Sequence, residues 1–161
     1  MAHEYKSSAL VLGMHDALVS QTGIIAGLTF ALSDTRLIIM TGVISAVSDG
    51  LSMLASNYLA ERERTHIKHA VTAGIYTGIA YLGTSALLIV PFFITDNATH
   101  ALIASFVIAI IIIFLFNWCM SHNSTRNIWH KFFEMLGICV GVSIIAFAIG
   151  EAAKIFLRIN I

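Results

Sequence analysis

Five long apolar segments, separated by short polar stretches, make up most of this chain. Each is long enough to cross the hydrocarbon core of a bilayer, which takes about 20 residues of α-helix. The pattern predicts an all-α integral membrane protein in which residues 1–161 form one transmembrane domain. The predicted spans cover residues 9–32, 37–60, 70–94, 101–120 and 132–157.

The composition narrows the class of protein. Hydrophobic residues make up 58% of the sequence and charged residues 11%, whereas an ordinary soluble domain has about 25% charged residues. The net charge is zero and no basic block occurs, so we expect no nucleic-acid partner. The sequence contains no nucleophile–base pair and no His-rich di-metal motif. We therefore predict neither an enzyme nor a permanently bound cofactor.

An odd number of spans places the two termini on opposite sides of the membrane. The side that holds the N-terminus would carry Lys6, Arg62, Arg64, Lys68, Arg126 and Lys131, and the other side Arg36, Lys154 and Arg158. Cytosolic loops carry an excess of Lys and Arg. This distribution therefore predicts a cytosolic N-terminus and a C-terminus on the opposite side.

Two acidic residues interrupt the first two spans away from their ends. Asp16 lies in the first span and Asp49 in the second. A carboxylate in the hydrocarbon region is unfavourable by a few kcal/mol on insertion scales, so such residues are rare and usually functional. The hairpin formed by these two spans is therefore where we expect the functional site.

The helical register places both acids on stripes of small or polar residues. The first stripe consists of Asp16, Ser20, Gly23 and Gly27, and the second of Ser45, Asp49, Ser52 and Ser56. Small residues allow membrane helices to approach closely, and polar residues are turned away from lipid. We expect the two stripes to face each other or a partner.

Residues of the two stripes can be matched by their depth in the membrane. In an antiparallel hairpin Asp16 and Met53 share one level, roughly 10 Å inside the same membrane face at a rise of about 1.5 Å per residue. Ser20 and Asp49 share a level about one turn deeper. Carboxylate oxygens with a thioether suit a borderline divalent ion better than Mg²⁺ or Ca²⁺. The predicted ion path is lined by Asp16, Met53, Asp49 and Ser20, with Ser45, Ser52, Gly23 and Gly27 as further lining.

Proton exchange follows from the same chemistry. Burial favours the neutral carboxyl group, so an empty site would hold protons that the metal displaces. The alternative for Asp16 and Asp49 is a structural role, in which they hydrogen-bond Ser and Thr side chains of neighbouring helices.

A second set of candidate ligands lies between the second and third spans. It consists of Glu61, Glu63, His66 and His69. These residues could collect metal on the cytosolic side, because His66 and His69 are about one helical turn apart. The alternative is a solvated helix end that extends the spans.

Two sequence segments carry a family resemblance. Residues 13–28, GMHDALVSQTGIIAGL, resemble the first span of the vacuolar iron transporter family, with its pattern D-G-L-V-x-x-x-G-x-x-A-G-L. Residues 49–59, DGLSMLASNYL, are similar to that family's signature G-A-x-S-M-x-x-x-x-Y-L. The five spans and the order of the loops also fit. The resemblance is to a short form, since the family's glutamate-rich cytosolic metal-binding domain is reduced here to residues 61–69.

The resemblance implies a function. Proteins of that family are dimers that export Fe²⁺, and often Mn²⁺, from the cytosol in exchange for protons, and by position Asp16 and Met53 would line the ion path. The chain departs from the family at Ser45 and Asn57, where an acid is frequent, and adds Asp49 one turn after Ser45.

These observations predict a homodimeric secondary transporter that exports Fe²⁺ and/or Mn²⁺ from the cytosol, with protons and the lipid bilayer as further partners. The expected location is a bacterial-type inner (plasma) membrane, with a vacuolar-type membrane as the alternative. The alternative function is a non-transporting membrane scaffold, in which the small-residue hairpin serves only to drive oligomerisation.

Overall fold

The structure is a computed structural model that describes residues 2–32, 34–121 and 128–157. These residues form five α-helices and no strand. The helices are α1 (Ala2–Ala31), α2 (Thr35–Arg62), α3 (Ile67–Ile94), α4 (Ala98–Ser121) and α5 (Ile128–Leu157). All five are long and apolar enough to cross a membrane, which confirms the predicted fold class. The side on which each terminus lies stays a prediction.

Capped turns connect the helices at one end of the bundle. The Asp34 carboxylate accepts a hydrogen bond from the Arg36 backbone N–H at 2.8 Å and so caps α2. The Asn97 side-chain oxygen accepts from the backbone N–H of Thr99 at 3.0 Å, at the start of α4. Such side chains satisfy backbone donors that have no partner within the helix. The Thr35 hydroxyl donates to the Asp96 carbonyl at 2.8 Å, which holds these two turns together.

The outer surface of the bundle is apolar. Large hydrophobic side chains such as Ile44, Ile79, Phe93 and Ile144 are more than half exposed. A continuous surface of this kind is expected for contact with lipid or with another membrane segment rather than with water. Helix α2 is among the helices most exposed in this way, because the face with Val47 and Leu51 has no neighbour within the described chain.

Helix α1 lies at the centre and packs most extensively against α3 and α5. A side chain at Gly13 would overlap the carbonyl oxygen of Thr77 in α3. At the crossing of α1 and α5, a Cβ atom on Gly150 would lie 2.6 Å from the carbonyl oxygen of Gly27. Glycine at these positions therefore permits the close helix contacts that hold a membrane bundle together.

Helix α3 packs against both arms of the predicted hairpin, which contact each other less than either contacts α3. Thr77 connects all three helices. Its hydroxyl accepts a hydrogen bond from the Asn57 amide of α2 at 2.6 Å and lies 3.2 Å from the Ala9 carbonyl of α1. The third span is therefore part of the structure that positions Asp16 and Asp49.

Candidate ion-binding site

Three helices bring polar side chains together at the hydroxyl group of Tyr81. Tyr81 lies in α3 and is fully buried. Its hydroxyl donates a hydrogen bond to Asp49 Oδ2 in α2 at 3.2 Å and lies 2.6 Å from Ser20 Oγ in α1. Because the tyrosine proton is directed at Asp49, the serine hydroxyl is the donor in the second bond. Ser20 and Asp49, which the sequence places at one depth, thus bind the same side chain.

Asp16 lies one helical turn from Ser20 on α1 and is half-buried. Because Ser20 and Asp49 both contact the Tyr81 hydroxyl, Asp16 lies about one helical turn from the level at which Asp49 is held. Among the residues that the structure describes, none donates a hydrogen bond to Asp16. In the described part of the chain no Ser or Thr side chain hydrogen-bonds either acid, as the structural alternative would require; Asp49 is held by the Tyr81 hydroxyl instead.

The polar row of α2 follows steps of four residues. Ser45, Asp49, Met53 and Asn57 are all half-buried and lie on one side of the helix. Ser52 is exposed, so within one chain it lies outside this row. Met53 lies one turn from Asp49, towards the end of the bundle where α1 begins. The structure thus places one thioether and two carboxylates on the surfaces of α1 and α2 that flank Tyr81.

Gly23 and Gly27 lie elsewhere than the predicted stripe would place them. A Cβ atom on Gly23 would meet Val142, and one on Gly27 would meet Ala146, both in α5. The stripe on α1 therefore divides between two neighbours, with Ser20 facing α3 and the glycines facing α5. Small residues indicate a close neighbour but do not identify it, which is why the register alone left open whether the stripe faces α2 or a partner.

Two functional candidates were missed from the sequence, Tyr81 and Gln21. Gln21 is fully buried, donates to the Gly42 carbonyl at 2.9 Å and accepts from Ser45 Oγ at 3.2 Å. These bonds link α1 directly to α2. The signal was present in both cases, because an amide in mid-span is unusual and tyrosine normally lies at the membrane interface.

The second set of candidate ligands lies where α2 ends and α3 begins. Glu61 is half-buried, whereas Glu63, His66 and His69 are exposed. No three His, Cys, Asp or Glu side chains in the described part of the chain are grouped closely enough to hold a metal ion. Within the described part of one copy, this applies both to this end of the bundle and to the surroundings of Asp16 and Asp49.

Comparison with known proteins adds independent information. A family model described as the VIT family matches residues 7–70 and 60–151. An uncharacterised protein of Methanocaldococcus jannaschii is 27% identical over 169 aligned positions, which cover 89% of this chain and 87% of the relative. The family-model matches extend over nearly the whole bundle and include Asp16, Asp49 and Tyr81.

Proposed function

Because the chain belongs to the VIT family, whose members are membrane transporters rather than enzymes, we propose that it exports Fe²⁺ or Mn²⁺ from the cytosol in exchange for protons. The observation that carries the proposal is the meeting of Ser20 and the intramembrane carboxylate of Asp49 at the hydroxyl of Tyr81, one helical turn from the second intramembrane carboxylate, Asp16. The family indicates transport of metal ions. The identity of the metal, the direction of transport and the exchange for protons are our inference.

The electrostatics of the site support an exchange mechanism. Two like charges at low dielectric repel each other, and neither is compensated by a basic side chain in the described structure. Either one divalent cation or protons must neutralise them. A metal ion that enters displaces the protons, and protons that enter from the other side release the metal. Tyr81 positions Asp49 for both states by donating a hydrogen bond to it.

The ligand atoms favour a borderline divalent ion. Met53 places a thioether one helical turn from Asp49, and thioethers select against hard ions such as Mg²⁺ and Ca²⁺. Two carboxylates and hydroxyl oxygen from Ser20 supply the remaining affinity. This mixed set suits Fe²⁺ and, with less contribution from sulfur, Mn²⁺.

A homodimer would complete the site. The exposed face of α2 combines apolar residues such as Val47 and Leu51 with small ones such as Ser48 and Ser52. A face of this composition permits close packing of two membrane helices. A second copy on this face would add its own carboxylates and thioether, and would shield the half-buried acids from lipid. Disulfide crosslinking of a Ser52→Cys variant in membranes tests this arrangement, since it predicts a covalent dimer.

The cytosolic end of the bundle supports a collecting role. Glu61, Glu63, His66 and His69 lie at the same end of the bundle as Met53 and the start of α1. We propose that they raise the local concentration of metal at the cytosolic entrance without forming a closed site. The distribution of Lys and Arg supports this orientation, and a bacterial-type plasma membrane is the proposed location.

Metal uptake by inverted membrane vesicles tests the function. The vesicles carry the cytosolic face outside, so export appears as uptake of Fe²⁺, Mn²⁺, Co²⁺ or Zn²⁺ from the medium. We expect uptake of Fe²⁺ and Mn²⁺ that falls when an ionophore collapses the proton gradient. Uptake that is unchanged by the ionophore would refute the exchange, and the absence of uptake of all four metals would refute the transport function.

A further inference from the structure

A cavity of about 310 Å³ lies between α1, α4 and α5. Its walls are formed by apolar residues, among them Phe116, Met135 and Ile138, and its polar groups include His15, Lys131 and Glu134. Cavities of roughly 300 Å³ and more are large enough for small-molecule sites. His15 is adjacent to Asp16 in sequence but about 100° away around the helix, so this cavity is distinct from the ion site.

The aromatic residues at this end indicate the level of the cavity in the membrane. Trp118 near the end of α4 and Trp129 at the start of α5 are both more than half exposed. Tryptophan at the lipid-facing surface is typical of the interface between headgroups and acyl chains. Lys131 lies within one turn of Trp129, and Ile138 lies about 10 Å further along the axis at about 1.5 Å per residue. The cavity therefore extends from the headgroup level into the start of the acyl-chain region.

The polar groups of the cavity form a pair of opposite charges. Lys131 and Glu134 are three residues apart on α5, so their side chains lie on the same face of the helix. Lys131 is half-buried and Glu134 is exposed. Beside them the His15 ring packs edge-on against Phe116, with ring centroids 5.9 Å apart. The buried Asn117 amide is held by the Ile113 carbonyl at 2.9 Å.

We propose that this cavity binds the headgroup of an ethanolamine phospholipid. The phosphate accepts hydrogen bonds from Lys131 and His15, and the primary ammonium group donates to Glu134. The acyl chains leave the cavity past Ile138 into the bilayer. An anionic headgroup without an ammonium group leaves Glu134 beside a like charge, and a choline headgroup has no N–H to donate, so both bind less tightly.

Lipid selectivity in nanodiscs tests the proposal without any measurement of transport. The full-length protein is reconstituted with equimolar ethanolamine, choline and glycerol phospholipids that have identical acyl chains, and the retained lipids are counted by native mass spectrometry. We expect the ethanolamine lipid to be retained at least about tenfold over each of the other two, since one charge-assisted hydrogen bond is worth at least that factor. Equal retention of all three lipids would overturn the proposal.

Two variants are expected to change the selectivity in opposite directions. Glu134→Gln removes the partner of the ammonium group, so the ratio of ethanolamine to glycerol lipid should fall. Lys131→Gln removes the partner of the phosphate and leaves Glu134, so the glycerol lipid should be lost more than the ethanolamine lipid and the ratio should rise. Two variants that merely fail to fold could not shift the ratio of ethanolamine to glycerol lipid in opposite directions. If both variants shift this ratio in the same direction, or if neither shifts it, the contacts assigned to Glu134 and Lys131 are wrong.

Glu151→Gln is the matched control, because Glu151 lies near the other end of α5 and its loss should leave the selectivity unchanged. A loss of selectivity in this variant would overturn the assignment to the cavity. A final measurement adds soluble phosphoethanolamine. If it displaces the retained lipid at millimolar concentration, the site takes a soluble phosphate ester and the lipid assignment is wrong.

Discussion

Replacing Tyr81 by Phe removes a single oxygen atom at the point where α1, α2 and α3 meet. The aromatic ring stays buried, so the packing of α3 is preserved. The substitution deletes the hydrogen bond to Asp49 Oδ2 at 3.2 Å and the one to Ser20 Oγ at 2.6 Å. It therefore tests whether Tyr81 positions Asp49 for binding of the metal ion.

The expected effect can be worked out from these two bonds. A hydrogen bond to a charged group contributes roughly 1.5–3 kcal/mol. The bond to Asp49, at 3.2 Å, is longer than the usual range for an O–H donor, which favours the lower figure. A loss of about 1.5 kcal/mol in the metal-bound state weakens binding about tenfold. We therefore expect Tyr81→Phe to raise the KM for Fe²⁺ about tenfold, with a smaller change in the maximal rate.

Two further variants separate the bonds and provide a control. Ser20→Ala removes only the neutral hydrogen bond, worth about 1 kcal/mol, so the KM should rise about fivefold or less. Tyr76→Phe changes the same residue type on the same helix, where the ring lies under the Lys6 ammonium group at 5.4 Å and outside the ion site. It should leave the KM unchanged.

The assay is the initial rate of Fe²⁺ uptake by proteoliposomes with a fixed opposing proton gradient. The amount of protein inserted is matched between the four samples. If Tyr81→Phe has the wild-type KM, the hydroxyl group does not position Asp49 and the proposed site is wrong in its central contact. Equal effects of Tyr81→Phe and Tyr76→Phe would mean that both act through stability, which also refutes the reasoning.

Three further predictions concern the acid, the thioether and the packing. Asp16→Asn should abolish metal tolerance of cells while the oligomer is retained on size-exclusion chromatography, and dissociation of the oligomer would favour a structural role. Met53→Leu keeps the volume but removes sulfur, so the ratio of Fe²⁺ to Mn²⁺ uptake should fall, and an unchanged ratio would exclude Met53 as a ligand. Gly150→Leu should lower the free energy of unfolding by about 1–3 kcal/mol through overpacking against Gly27. Gly137→Leu, which meets open space, should not do so in the same thermal unfolding measurement.

The fold and the depth of the acids could be predicted from local sequence. A helix that crosses lipid must satisfy its backbone groups internally, so an apolar segment of sufficient length has no alternative structure. Depth follows from the rise per residue, and the count that placed Ser20 level with Asp49 agrees with their shared contact to Tyr81. Both inferences use only distances along a single helix or hairpin.

The neighbours of each helix could not be predicted in the same way. Gly23 and Gly27 pack against α5, but their spacing would fit any close neighbour. Ser52 and Asp49 share a stripe on α2, yet Ser52 is exposed and Asp49 is half-buried. These outcomes depend on which helix lies beside which, and small residues occur at every such contact. The role of Tyr81 could not be predicted for the same reason, because its position beside Asp49 depends on the packing of α3 against both α1 and α2.

The position of α3 also bears on the need for a second copy. Because Tyr81 lies against both Ser20 and Asp49, the inner side of the carboxylate pair is already filled by protein. Asp16, Asp49 and Met53 are half-buried. On α2, Asp49 and Met53 lie about 100° around the helix from the exposed Ser48 and Ser52, so their remaining surface borders this exposed serine face. A carboxylate facing lipid is unfavourable by a few kcal/mol. We propose that a second bundle against α2 covers these side chains and adds its own ligands. Metal binding is then expected to require the dimer, whereas the dimer, held by the apolar and small residues of α2, is expected to form without the Asp16 carboxylate.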